Sequence, residues 1–320
     1  MKSFSLLFVF IITALGGFAQ TNEAVDYFDF LNQKHNDVVR QNLQFTQYSV
    51  HSDDFFQVEQ MRQNLIQNIR KARLAVKKKI AFEGGLDMRN ELVRVLDIYF
   101  ESFNHDFDEV AVLKKKSKDS YEALEAYFKA EDDLEAKLEA AANDFLAAQK
   151  VYASNHHIQL GAAEENEVIK EINAVNEYIR VLYMKEFRVS KANAYFFDAL
   201  DKDDAETMEK MRLNLLKVAS EELKSLEEIP AYKEDSRFLE ATRRLIHFYL
   251  DLAENGYVDM VGITNKSKEV GLNQKDVDAF NKVINDYNDN SVRFINDFNE
   301  TMNFLLRNNV PRPDAETKRL

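Results

Sequence analysis

The residues with the most chemistry in them are six histidines and a surplus of carboxylates. Glu101 and His105 stand four apart, so a helix would put both on one face, where they could share a metal ion or simply pair with each other. His156 and His157 are adjacent just before Gly161; neighbouring imidazoles bind transition metals, and histidine also suits a helix C-terminus on dipole grounds. The run Asp286-Tyr287-Asn288-Asp289-Asn290 spaces its oxygens like the first half of a calcium loop. That loop needs glycine at its sixth position and glutamate at its twelfth, and here those positions hold Ser291 and Asp297. Carboxylate-bridged di-metal sites in helical bundles use Glu-x-x-His on paired helices, and none of the histidines has a glutamate three residues before it.

With no cysteine in the chain, thiol nucleophiles, redox pairs, disulfides and thiolate zinc sites are all excluded. Phosphate-loop, dinucleotide and nucleophile-elbow signatures are missing as well. His35, Glu186 and Asn193 fall on or beside apolar stripes, where they would either satisfy one another or line a pocket between helices. The basic cluster Arg70, Lys71, Arg73 and Lys77-Lys78-Lys79, echoed by Lys114–Lys116, could meet an acidic partner, but lysine is also favoured at the end of a helix. These residues predict no catalytic group, no cofactor and no metal site.

The elements that carry these residues are long helices. The chain has three prolines, two of them at Pro311 and Pro313, and few glycines. Val58, Met61, Leu65, Ile69, Ala72, Val76 and Ile80 recur at spacings of three and four, as do Met208, Met211, Leu215, Ala219, Leu223 and Leu226. Leu134, Leu138, Ala141, Phe145, Ala148 and Tyr152 form a heptad-like seam, matched by Val277, Phe280, Ile284, Tyr287, Ser291, Phe294 and Phe298. The expected class is all-α, elongated, with helices of up to about 50 Å by the usual rise per residue.

The same stretch occurs twice. DDFFQVEQMRQNLI (Asp53–Ile66) returns 150 residues later as DDAETMEKMRLNLL (Asp203–Leu216). Without a gap, 16 of the 95 positions in 24–118 are identical to those in 174–268, and the matches crowd into 53–65. An internal duplication follows: two tandem bundles of four helices, A to D. Helix A is expected over 23–50 and 165–200, B over 54–81 and 204–228, C over 87–113 and 235–256, and D over 118–154 and 274–307. Lys116-Ser117-Lys118 and Lys266-Ser267-Lys268 serve as the loops before D. Asp53 or Asp203 would cap helix B, and Arg62 and Arg212 would pair with Glu59 and Glu209. The repeated Asp53, Arg62, Asn64 and Asp203, Arg212, Asn214 could alternatively line an equivalent groove in each copy.

The opening MKSFSLLFVFIITALGGFAQ has one lysine, an apolar run from Phe4 to Leu15, and small residues at Gly17 and Ala19. It reads as an export leader over 1–19, too short to span a bilayer, with bundles at 20–158 and 159–308 and a polar tail at 309–320. The mature chain should have no integral membrane segment. An excess of 55 acidic over 42 basic residues disfavours nucleic acid and anionic lipid as partners.

Ala24–Val39 (AVDYFDFLNQKHNDVV), Ala81–Gly85 (AFEGG) and Ala141–Leu160 (AANDFLAAQKVYASNHHIQL) resemble an uncharacterised family of exported helical surface proteins first catalogued in spirochaetes. The resemblance covers mostly the first copy. It implies an exported, envelope-associated protein of a Gram-negative bacterium, in the periplasm or at the cell surface, and brings no catalytic residues with it. Since the chain lacks cysteine, lipid attachment is not expected here. The expected function is therefore non-enzymatic binding of a protein partner through helix faces, with carriage of a small apolar ligand between helices as the alternative.

Overall fold

The computed structural model describes residues 10–11, 14–15, 22–161, 164–165 and 167–313. Most of the expected leader lies outside the described residues. Its described parts, β1 (Phe10–Ile11) and β2 (Ala14–Leu15), pair antiparallel with β4 (Glu164–Glu165) and β3 (Gln159–Leu160) respectively. Everything else of regular structure is helical, and the protein is all-α. No helix among the described residues is long and apolar enough to cross a membrane. The chain divides into two compact units, residues 2–174 with 309–320 and residues 175–308.

The first unit contains α1 (Asn22–His51), α2 (Phe55–Lys78), α3 (Leu86–Glu101), a π turn over Ser102–Asp106, α4 (Phe107–Lys116) and α5 (Tyr121–Asn155). Its core is the apolar stripe of each helix: Tyr27, Phe28 and Leu31 of α1, Leu65, Ile66 and Ile69 of α2, Leu92, Val95 and Leu96 of α3, and Leu124, Tyr127 and Phe145 of α5. The tail expected to be merely polar begins by contributing to this unit. Val310 is buried, and its carbonyl accepts a hydrogen bond from His51 Nε2 at 2.7 Å.

Next come α6 (Glu167–Asp201), α7 (Ala205–Leu226), α8 (Arg237–Glu254), α9 (Gly256–Glu269) and α10 (Gln274–Asn309). The two units divide inside α6, between Ala174 and Val175. The second unit has the same A-to-D order, with one correction to the expected boundaries. Helix C does not stop near 256 but restarts as α9, so Lys266-Ser267-Lys268 is the last turn of a helix and not a loop. The chain leaves that helix at Val270 and turns at Gly271, whose φ of 79° needs a residue without a side chain. The extra length shifts helix D. Arg94 reaches Asp144, 50 residues on, whereas Arg244 reaches Asp297, 53 residues on.

Between helices B and C both units turn at equivalent positions, closed by the same i to i+3 hydrogen bond but with different backbone twists. Gly85 N donates to Phe82 O at 2.7 Å, and Asp235 N to Tyr232 O at 2.8 Å. The first turn has Gly84 at φ 65°; the second has Lys233 at φ 48° and Glu234 at φ 71°. An L-residue in that region crowds its own Cβ against the backbone. Glu234→Gly is therefore expected to stabilise the second unit by up to about 1 kcal/mol, because the relief of strain exceeds the entropy lost by adding a glycine. Urea midpoints of the two proteins check this.

Candidate functional site

The duplicated stretch opens α2 and α7, and its acidic residues cap them. The capping side chains are Asp54 and Asp204, not Asp53 and Asp203: Asp54 Oδ1 accepts from Gln57 N, and Asp204 Oδ1 from Thr207 N, each at 3.1 Å. The extended backbone of Asp54 aims its carboxylate at the bare amides, whereas Asp203 sits at φ 52° in the preceding turn. Hydrogen bonds from Thr207 also hold the Asp204 carboxyl below its ordinary pKa.

Arg62 and Arg212 are drawn further inward than the apolar spacing implied. Each forks onto the glutamate three residues before it: Arg62 to Glu59 at 2.8 and 2.9 Å, Arg212 to Glu209 at 2.7 Å through both nitrogens. Each then spends its remaining amine on a main-chain carbonyl of helix C, 41 residues on. Arg62 Nη1 donates to Phe103 O and Arg212 Nη1 to Ala253 O, both at 2.8 Å. Phe103 lies in the π turn, and Ala253 in the last turn of α8. At both places helix C is interrupted and carbonyls fall out of the regular ladder. The repeated Glu-x-x-Arg thus serves a repeated break in a helix. Asn64 and Asn214, two residues on, are exposed on the other side of the helix, and Asp53 and Asp203 are exposed ahead of it. Capping and packing account for the motif, and the structure does not gather Arg62 with Asn64, or Arg212 with Asn214, into one groove.

Each unit holds a buried polar centre between helices A and C. In the first unit His35 is 3% exposed, with Nε2 at 3.2 Å from the Tyr99 hydroxyl and its ring 4.9 Å from that of Phe145. Burial pushes the imidazole down to about 4, against a smaller opposing hydrogen bond with Asn36. Nearby Gln149 donates to Asn32 Oδ1 at 2.6 Å. In the second unit Glu186 is buried, and burial raises its carboxyl to about 7, opposed in part by a hydrogen bond from Ser190. It acts electrostatically on Tyr183 and Tyr249, whose phenols are also raised, chiefly by burial. Asn193 takes a 2.6 Å hydrogen bond from Tyr257, which stacks on Phe196 at 3.9 Å between centroids. Sequence spacing flagged His35, Glu186 and Asn193, but not their tyrosine partners, which read as ordinary core.

The other candidates have structural partners. Glu101 and His105 are exposed and 3.5 Å apart. His156 packs at a tilt against the Tyr152 ring, 4.3 Å between centroids, and contacts the Glu83 carbonyl at 2.8 Å. Asp286–Asn290 is a stretch of α10, where Asn290 donates back to the Asp286 carbonyl, so its carboxylates radiate from a helix and cannot wrap an ion. Among the described residues no group of three or more His, Asp or Glu is placed to hold a metal. In the basic cluster, Arg70 lies over Phe100, Arg73 pairs with Asp97 and Lys79 lies over Phe30. A shallow cleft of about 400 Å³ is lined by Asn90, Val93, Arg94, Asp97, Ile98, Glu101 and Lys137, and its cations are tied to Glu91, Asp144 and Asp106.

The two matching stretches differ just after the cap. Ala205 is 3% exposed, while the equivalent Phe55 is 82% exposed and Phe56 beside it 69%. The fold and its exposed aromatics make this an all-α protein with two helical units and chemically distinct surfaces. Compared with family models, curated proteins and solved structures, the chain matches none.

Proposed function

We propose that this chain is an exported, non-enzymatic protein of the bacterial envelope that binds a protein partner through Phe55 and Phe56. The carrying observation is the exposure of two adjacent phenyl rings at the head of α2, on a position where the second unit has a buried alanine. The stretch keeps its cap and its arginine in both units, yet where the second unit has Ala-Glu the first has Phe-Phe, and those two rings face solvent. Burying one such ring is worth roughly 2–3 kcal/mol, so a pair can anchor an interface. The leader-like opening and the resemblance of the first copy to exported surface proteins support placement in the envelope. Carriage of a small apolar ligand has less behind it, because His35 and Glu186 are already engaged by Tyr99, Phe145 and Ser190.

The test is photocrosslinking in intact cells with a benzophenone amino acid at Phe55. One discrete adduct with a different protein is expected, lost on Phe56→Ser and absent when the probe stands at Glu206. No adduct, or the same adducts from Glu206, would overturn the reading. Protease shaving of the same cells then separates surface from periplasmic exposure.

A further inference from the structure

The last helix of each unit is built to the same plan but covered differently. On the offset set by Arg94–Asp144 and Arg244–Asp297, Leu124 of α5 corresponds to Val277 of α10, Tyr127 to Phe280, and Ala142 to Ile295. Leu124 and Tyr127 are 0% exposed, whereas Val277 is 37% exposed and Phe280 only half-buried. At about 100° per residue, the buried face of α10 is Val283, Tyr287, Ser291, Phe294, Phe298 and Leu305. A quarter-turn around lies a second strip with Val277, Ile284, Val292 and Ile295 interspersed among the exposed Asn281, Asn288 and Asn299, Val292 being 60% exposed. On the solvent side of that strip stand Asp278, Lys282, Asp289 and Arg293, all exposed.

We infer that this strip of α10 is where a second copy of the chain docks, antiparallel about a two-fold axis near Asn285. The order of charge carries the inference. Read forward, Asp278, Lys282, Asp289 and Arg293 run minus, plus, minus, plus; read backward, each of these four meets its opposite, while the exposed Asp286 stands at the axis beside its own copy. A two-fold axis perpendicular to the helix lays like edge against like edge, in reversed order. Asp278 then faces Arg293 of the partner, and Lys282 faces Asp289, each pair occurring twice. Within one residue of that register Val277 falls against Ile295, and Ile284 against the exposed Asn288. Asp278 accepts a hydrogen bond from Gln274 and Arg293 lies over Phe294, contacts that orient both charges along the helix surface without removing them from it. A parallel pair would oppose like charges. One helix face falls short of the roughly 800 Å² per partner of a standard interface, so the dimer should be of modest affinity and sensitive to salt. This surface is separate from Phe55 and Phe56, and its fate is independent of the partner proposed for them.

Sedimentation velocity of the whole mature chain tests the inference. A dimer is expected to grow in between about 1 and 100 µM, and to weaken at least tenfold with Val292→Arg, whose exposed position leaves the fold intact by circular dichroism. Arg293→Asp should also weaken it, and adding Asp278→Arg to the same chain should restore it, which only the antiparallel register allows. Because the chain has no cysteine, a single Asn285→Cys reports proximity cleanly: mild oxidation should link two copies, whereas Lys150→Cys on α5 should not. A monomer at every concentration overturns the inference. So does a dimer indifferent to Val292→Arg, or an Arg293→Asp defect that Asp278→Arg leaves unrepaired.

Discussion

Arg62→Ala is expected to destabilise the first unit by about 3 kcal/mol, and Arg212→Ala the second by about 2 kcal/mol. Removing the guanidinium strands the Phe103 or Ala253 carbonyl and deprives Glu59 or Glu209 of a two-pronged partner. A hydrogen bond from a charged donor is worth about 1.5–3 kcal/mol, and an unpaired buried acceptor costs a comparable amount. The glutamates are partly exposed, so the ion pair itself adds little. Arg62 is the more buried of the two, also pairs with Asp108 at 3.0 Å and covers the Phe107 ring at 5.0 Å, which sets the order of the effects. Lysine should recover less than half of the loss, because a single ammonium cannot fork onto a carboxylate and reach a carbonyl. Urea midpoints at unchanged slope provide the measurement. An unchanged midpoint for both alanine variants would mean that the interrupted helix needs no side-chain donor.

That arginine shows where reading the sequence stopped. Apolar spacing placed helices A, B and D to within a few residues, because their stripes are long and their ends carry Asp54, Asp204 and Ser120. It paired Arg62 with Glu59 correctly but left it beside the stripe, whereas Arg62 is buried, and the carbonyl it serves is a consequence of the π turn. SFNHD contains no breaker, and the turn shows in the backbone, where Phe107 N bonds to the Ser102 carbonyl. Helix C of the second unit was cut short for a related reason. The expected helix ends at Gly256, which lies so close to the Val283 side chain that a Cβ there would come within 2.8 Å of it, and the chain resumes as a helix at once. The exposed Phe55-Phe56 pair stood in plain view as a difference between the copies. Its exposure was not legible, since aromatic residues following a cap are equally at home in a core.

The two buried centres were legible as polar residues on apolar stripes, but their opposite charge chemistry has a consequence that spacing alone does not give. The two units should lose stability at opposite ends of the pH scale. His35 is held at about 4 in the folded first unit against 6.5 when exposed, so the fold favours the neutral ring. That contribution is complete above about pH 6.5 and is lost as pH falls toward 4. Glu186 is held at about 7 in the folded second unit against 4.5 when exposed, so the fold favours the protonated acid. Its contribution is complete below about pH 4.5 and is lost as pH rises through 7. Each shift corresponds to an effect on the order of 3 kcal/mol. Hydrogen exchange read on separate peptides should therefore show α1, α3 and α5 loosening in acid, and α6, α8 and α10 loosening above neutrality. Glu186→Gln keeps the hydrogen bonding without the charge and should remove the second effect alone, leaving the acid response of His35 in place. If both sets of peptides kept the same protection from pH 4.5 to 8, neither centre would be as desolvated as the burial of His35 and Glu186 requires.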